Sequence, residues 1–310
     1  MVRDGIDIKN EKTLIILSAK CDKNGKLNSL RKVGANENTV IDLQLQSLNI
    51  EFKNKYVVLG ENHEEWNRKD FKKIINKDWA SSNSGFSLSK ALNTIKPLGE
   101  IWILYSDILF REINLSKEDH DKNIIYVDNE WETRIKDRKT RDSSLIELVK
   151  SDKDKNINFF FTGINKYIKQ TAELCGIIKL ENNVFNEIRS IIKSIDTKEL
   201  KKLSTSELLE ITRINGINYH SRNISGKYCQ LNIDDDLIKF FLGTKAETLE
   251  KLKLSGIKNG YFLDQYKFTV YEWNTSQDSI LEKRLIKKGS TFYLKSIGVY
   301  MQTILYHSKE

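Results

Sequence analysis

Among the residues of this chain able to hold a metal ion or meet a phosphate, the aspartate of IWILYSDILFR, Ile101 to Arg111, has the most telling setting. Ile101, Trp102, Ile103, Leu104 and Tyr105 form a continuous apolar run of the kind buried on both faces in a parallel sheet, and Asp107 stands just beyond it. Open α/β sheets bind ligands outside the carboxyl ends of their strands, so a carboxylate there would face a nucleotide phosphate with magnesium between them. The other reading is an aspartate that ends a strand and caps the next turn. Spacing alone leaves both open.

The remaining reactive side chains narrow the chemistry. Cys21, Cys175 and Cys229 are odd in number and far apart, against a disulfide framework and against a CxxC zinc site. His63, His120, His220 and His307 show no ligand spacing such as HExxH, so a transition metal is not expected. The net charge of +8 invites a nucleic-acid reading, but lysines and acids alternate through SDKDKN and KEDHDK without forming a basic block. Nucleic acid is therefore not an expected partner. A mildly basic surface suits polyphosphate substrates equally well.

The elements that would position Asp107 are readable around it. Thr13 to Ser18, TLIILS, reads as a first strand, followed by the polar loop AKCDKNGKLNS and a helix near Val40 to Leu48 with Val40, Ile41, Leu45 and Leu48 inward. Tyr56 to Leu59 is a second short strand. In SSNSGFSLSKALNTI, serine or asparagine caps precede Leu88, Ala91, Leu92 and Ile95, an apolar stripe at helical spacing that leads through Pro97 and Gly99 into the strand before Asp107. Asn123 to Asp128, Phe159 to Thr162 and Gly176 to Leu180 read as further strands. Phe185, Ile188, Ile191, Ile192 and Ile195 mark a long amphipathic helix, and Ser204 with Glu207 forms a capping box for the next. Strands alternating with helices predict a layered α/β domain with a mostly parallel sheet.

With 310 residues, 39% hydrophobic and 30% charged, the chain can bury a full core. No apolar run approaches the roughly 20 residues that span a bilayer, and the N-terminus lacks a signal-peptide core, so cytoplasm is the expected location. From Asp234 the texture changes. DDDLIKFFLGTKAETLEKLKLSG reads as one or two helices with Leu237, Phe240, Phe241, Leu249 and Leu252 apolar, and FTVYEW and TFYLKSI are strand-like. The expected division is a main domain over 1–240 and a small α+β appendage over 241–310, which should lean on the main domain or on a partner.

Several segments, in order, resemble the nucleotidyltransferases of the sugar-phosphate and phosphocholine cytidylyltransferase type. TLIILSA with its polar loop and LNSLRKVGANENTVIDLQLQSL match that family's first strand, nucleotide loop and following helix; NSGFSLSKAL matches its Asn-containing turn and Ser-Leu helix; LYSDILFR matches its strand with the metal-binding aspartate. WETRIKDR resembles the aromatic and arginine stretch that follows, and YCQLNIDDDL stands where the family places a strand carrying a second metal ligand.

The resemblance implies a Rossmann-like three-layer α/β/α domain that transfers a nucleoside monophosphate, from CTP above all, to a small phosphorylated acceptor with release of pyrophosphate, in surface polysaccharide modification. It implies Mg2+ held by Asp107 and Asn232. Ser18, Ala19, Lys20, Gly25, Lys26 and Arg31 would wrap the triphosphate, with Asn83 and Ser84 at the base or acceptor pocket and Arg138 or Lys179 on the acceptor. The family's catalytic lysine falls on Asn28 in this register, and Lys26 is the substitute two residues away. FFLGTKAETLEKLK and FTVYEW resemble the start of phosphoenolpyruvate-synthase-like ATP-grasp kinases, which implies a kinase partner through residues 241–310. A catalytically silent scaffold that docks such a kinase is the alternative.

Overall fold

The computed structural model describes residues 11–22, 24–33, 38–97, 99–113, 119–136, 145–164, 169–231, 240–241, 291–295 and 303–307. Two compact units are present, Met1–Phe241 and Leu242–Glu310.

In chain order the first unit begins with β1 (Lys12–Ser18), the short pair β2 (Lys32–Val33) and β3 (Asn38–Thr39), α1 (Val40–Leu48), β4 (Asn54–Leu59), β5 (Lys72–Ile75) and α2 (Ser84–Thr94). Then come β6 (Glu100–Tyr105), β7 (Ile108–Phe110), β8 (Ile124–Asp128), α3 (Trp131–Lys136), β9 (Glu147–Ser151), β10 (Ile157–Thr162) and β11 (Ala172–Leu180). The unit closes with α4 (Phe185–Ser194), α5 (Thr197–Lys202), α6 (Thr205–Ile214), β12 (His220–Asn223) and β13 (Tyr228–Gln230). In the second unit a hairpin of β14 (Thr291–Lys295) and β15 (Thr303–His307) is described, which includes the TFYLK segment; FTVYEW and most of the expected helix over 234–256 lie outside the described residues.

The sheet runs β10-β9-β11-β6-β1-β4-β5, with β8 paired to β11 and β12 paired to β8. β6, β1, β4 and β5 are parallel neighbours, while β11 runs against β6, β8 and β9. Both faces are covered, which is why TLIILS and IWILY are apolar at every position and do not alternate. Ile15, Leu17, Ile101 and Ile103 face Leu88, Ala91, Ile188 and Leu208 of α2, α4 and α6. Leu14, Ile16, Trp102 and Leu104 face Ile41, Leu48, Phe52 and Trp66 on the α1 side. Burying each such side chain contributes roughly 1.5–3 kcal/mol. The result is a Rossmann-like α/β/α sandwich with a mixed, mostly parallel sheet.

Local signals set the helix ends. Thr39 caps α1 by accepting from the Asp42 amide, and Asn49 closes it at φ 49°, a left-handed position asparagine tolerates. Ser204 and Glu207 form the expected capping box at α6. Gly176, at φ 73° in β11, leaves room for Tyr105, since a Cβ there would lie 2.6 Å from its ring.

Candidate active site at the carboxyl ends of the strands

Because β1, β4, β5 and β6 run parallel, the residues that follow them, Ala19, Gly60, Asn76 and Ser106, emerge along one edge of the sheet. Asp107 therefore stands beside the start of the Ala19–Arg31 loop. The Ser106 amide donates to the Leu17 carbonyl at 3.1 Å, and the Leu231 amide donates to the Asp107 carbonyl at 2.9 Å. Arg31 Nη1 donates to the Leu231 carbonyl at 3.1 Å, so the loop, the aspartate turn and the end of β13 are tied together. Asn232 follows Leu231 in sequence but, like Arg138, lies outside the described residues.

The loop is a tight hairpin. Asp22 Oδ1 accepts from the Asn24 amide at 2.8 Å and from the Lys26 amide at 3.0 Å, and the Asp22 amide donates to the Lys26 carbonyl at 2.8 Å. The Lys26 amide, ahead of the nearby Arg31 and Lys26 charges, holds the Asp22 carboxyl below the usual aspartate range. Gly25 takes φ 76°, and its carbonyl accepts from Asn62 Nδ2 at 2.6 Å. Burial and the neighbouring Glu61, Glu65 and Asp22 push the Cys21 thiol up to about 11, so it stays protonated and unreactive at neutral pH. The amides of Asn24, Gly25 and Lys26 are thus occupied within the loop, and its lysines must act through their side chains; Lys20 and Lys26 are exposed. Ser18 is buried and bonded to Ser29 Oγ at 2.9 Å, and the Ala19 carbonyl accepts from the Glu61 amide, so both brace the loop from beneath. Asn28, in the position of the expected lysine, is buried.

The turn before α2 is also engaged. Asn83 Nδ2 donates to the Lys202 carbonyl at 2.6 Å, and Ser84 Oγ accepts from the Thr205 amide at 2.9 Å. The Asn83 and Gly85 amides donate to the Lys201 and Leu203 carbonyls. At Gly85 a Cβ would come within 2.5 Å of the Ser204 carbonyl. The connection from α5 to α6 therefore occupies the amino end of α2, and Asn83 and Ser84, expected at the base or acceptor pocket, bind this strap through their side chains.

Lys179 requires a correction. β11 is antiparallel to β6, with Lys179 opposite Trp102, which puts it toward the far end of the sheet from Asp107. Its side chain is fully buried, and Nζ donates to the Asp119 and Lys122 carbonyls at 3.1 and 3.0 Å and pairs with Glu181, with Glu100 at 3.6 Å. A buried ammonium persists only with such partners. Lys179 is part of the fold, away from the Asp107 edge of the sheet.

A residue missed in the sequence is Glu147, at the start of β9. Its carboxylate accepts from Tyr105 Oη at 2.6 Å and from the Ser206 amide at 3.0 Å, joining the strand before Asp107 to the amino end of α6. Burial, with the Asp107 charge adding to it, raises the Glu147 carboxyl above the usual range against those hydrogen bonds. ELVKS is half polar and short, and nothing in its spacing marked it as a strand.

Comparison with solved structures places this architecture. The CTP:phosphocholine cytidylyltransferase of Streptococcus pneumoniae aligns over 74% of this chain and 97% of its own, at 13% identity and a TM-score of 0.55. The inositol-1-phosphate CTP transferase of T. maritima aligns over 76% and 97%, at 11% identity and 0.55. The chain has the nucleotidyltransferase fold. A nucleoside-diphosphate-sugar pyrophosphorylase from Vibrio cholerae shares it, with 11% identity over 74% of this chain and 98% of that one, at 0.51. No family model matches the sequence, and no curated protein matches it. Among the described residues no helix is long and apolar enough to cross a membrane.

Proposed function

We propose that this chain is a magnesium-dependent nucleotidyltransferase that joins a nucleoside triphosphate, CTP in the first instance, to a small phosphorylated acceptor for surface polysaccharide decoration. One observation carries the reading: Asp107 stands at the carboxyl end of a central parallel strand, tied to the Ala19–Arg31 loop, in a fold shared with two proteins described as CTP-using transferases.

In the reaction an acceptor phosphate oxygen attacks the α-phosphorus, a new P–O bond forms, and the bond to the oxygen bridging to the β-phosphate breaks. That electron pair departs with pyrophosphate. The protein's task is to hold two polyanions in line, and charge and positioning do most of it. Lys20 and Lys26 supply side-chain charge to the triphosphate, Arg31 holds Leu231 beside Asp107, and Arg138 is proposed for the acceptor.

Magnesium is commonly held by one or two carboxylates together with substrate phosphates, and the half-buried Asp107 carboxylate fits that role, with Asn232 as its proposed partner. The ion would supply neutralising charge at the phosphates.

A second reading, a silent nucleotide-binding module, draws support from the buried Asn28 at the lysine position. Incubation of the full chain with Mg2+, each nucleoside triphosphate and a panel of phosphorylated acceptors separates the two. Transfer predicts pyrophosphate release with at least one pair, falling at least about a hundredfold in Asp107→Ala. No release with any pair, with nucleotide still bound, supports the silent module.

A further inference from the structure

The backbone that carries Asp107 is held by main-chain bonds to Leu17 and Leu231 and by one buried side chain. Gln44, on the inward face of α1, is fully buried, and its Nε2 donates to the Tyr105 carbonyl at 2.8 Å and to the Ile108 carbonyl at 2.9 Å. Those two carbonyls bracket Ser106–Asp107, the link between β6 and β7. One amide group therefore spans the turn on which Asp107 sits. The amide orientation is settled, because a carbonyl oxygen in the nitrogen's place would face two acceptors. Main-chain bonds complete the clamp: the Ser106 amide to Leu17, and the Leu231 amide to the Asp107 carbonyl.

A glutamine is an unexpected choice here for packing alone. Val40, Ile41 and Leu48 make the rest of this helix face apolar, and a leucine would fill the space. The amide nitrogen is explained by the two carbonyls, which lie at the end of β6 and the start of β7 and both accept from it.

We propose that Gln44 is the positioning residue for Asp107: it fixes the turn geometry that aims the carboxylate at a nucleotide-bound divalent cation. It touches neither nucleotide nor metal. The proposal rests on the nucleotidyltransferase reading and extends it to a residue of α1 outside the expected site.

The test uses the full chain and Mn2+ as the probe, with CTP present, and follows protein-bound Mn2+ by electron paramagnetic resonance against a blank of Mn2+ and CTP alone. Gln44→Glu keeps the size but turns acceptor against acceptor; Gln44→Met keeps the volume without a buried charge and guards against misfolding of the first. Gln46→Met, an exposed neighbour on the same helix, is the control. Both Gln44 variants are expected to weaken Mn2+ binding about tenfold while circular dichroism remains native, and Gln46→Met to leave it unchanged. In the pyrophosphate assay the loss should appear as a raised half-saturating Mg2+ concentration, relieved by excess Mg2+, with CTP KM then restored. A folded Gln44→Met that binds Mn2+ as tightly as the parent overturns the positioning role alone. A parent chain that binds no Mn2+ with CTP overturns the transferase reading and this role together.

Discussion

The Leu231 amide donates to the Asp107 carbonyl at 2.9 Å, across 124 positions of sequence, and so joins the end of β13 to the turn after β6. Two segments that the sequence could only place in order, LYSDILFR and YCQLNIDDDL, are hydrogen-bonded neighbours, with Phe110 opposite Tyr228 and Ile108 opposite Gln230. Asp107 and Leu231 are thus fixed to each other by main-chain bonding at the ends of one strand pair.

Lys179→Met should damage the fold and spare the site. The substitution leaves Glu181 and the Asp119 and Lys122 carbonyls without their shared donor, a loss of about 3 kcal/mol when a buried pair is broken from one side. Urea denaturation should show the midpoint falling while CTP affinity, measured well below that midpoint, stays within twofold. A large loss of CTP affinity in a folded variant would contradict a purely structural role for Lys179.

Glu147 should leave a signature in the pH dependence of stability. Its folded-state carboxyl titrates above the unfolded value, so the folded chain binds the extra proton, and this group's contribution to stability falls as pH rises from the ordinary carboxylate range through the raised value. Glu147→Gln cannot titrate. The stability of the variant relative to the parent should therefore improve between pH 5 and pH 8, read from urea unfolding at both. A difference independent of pH, or one moving the other way, contradicts the raised value.

The loop prediction concerns Asp22. Removing its carboxylate in Asp22→Ala frees the Asn24 and Lys26 amides, each bond being worth about 1 kcal/mol at most in this exposed setting. Hydrogen exchange at those two amides should speed up by about fivefold, with the exchange of β1 unchanged. Unaltered exchange would mean that the hairpin is held without the Asp22 carboxylate, by its main-chain bonds and the Gly25–Asn62 and Cys21–Glu61 contacts.

The central sheet was legible because its strands are buried on both faces and hence continuously apolar: TLIILS and IWILY fall within β1 and β6, and the predicted helix over Val40 to Leu48 has the bounds of α1. The capping box at Ser204 and Glu207 was equally plain. KKII, ELVKS and HSRN were not, because they are short and partly polar, and their pairing is set by neighbours and not by their own pattern. Lys179 misled because a lone lysine looks like a ligand for phosphate. Its signal was there, however: the lysine interrupts an otherwise apolar strand, GIIKL, with Glu100 and Glu181 placed to receive it. Gln44 carried a similar mark, a polar residue on the apolar stripe of α1.

The most direct measurement is calorimetric titration of the full chain with CTP, once in Mg2+ and once in EDTA, for the parent and for Asp107→Ala. The account predicts binding in the parent that is at least about tenfold tighter with Mg2+, and a variant for which Mg2+ makes no difference. Parent binding that is indifferent to Mg2+, or a variant that keeps the full magnesium effect, would contradict the assignment of Asp107 to the metal–nucleotide site.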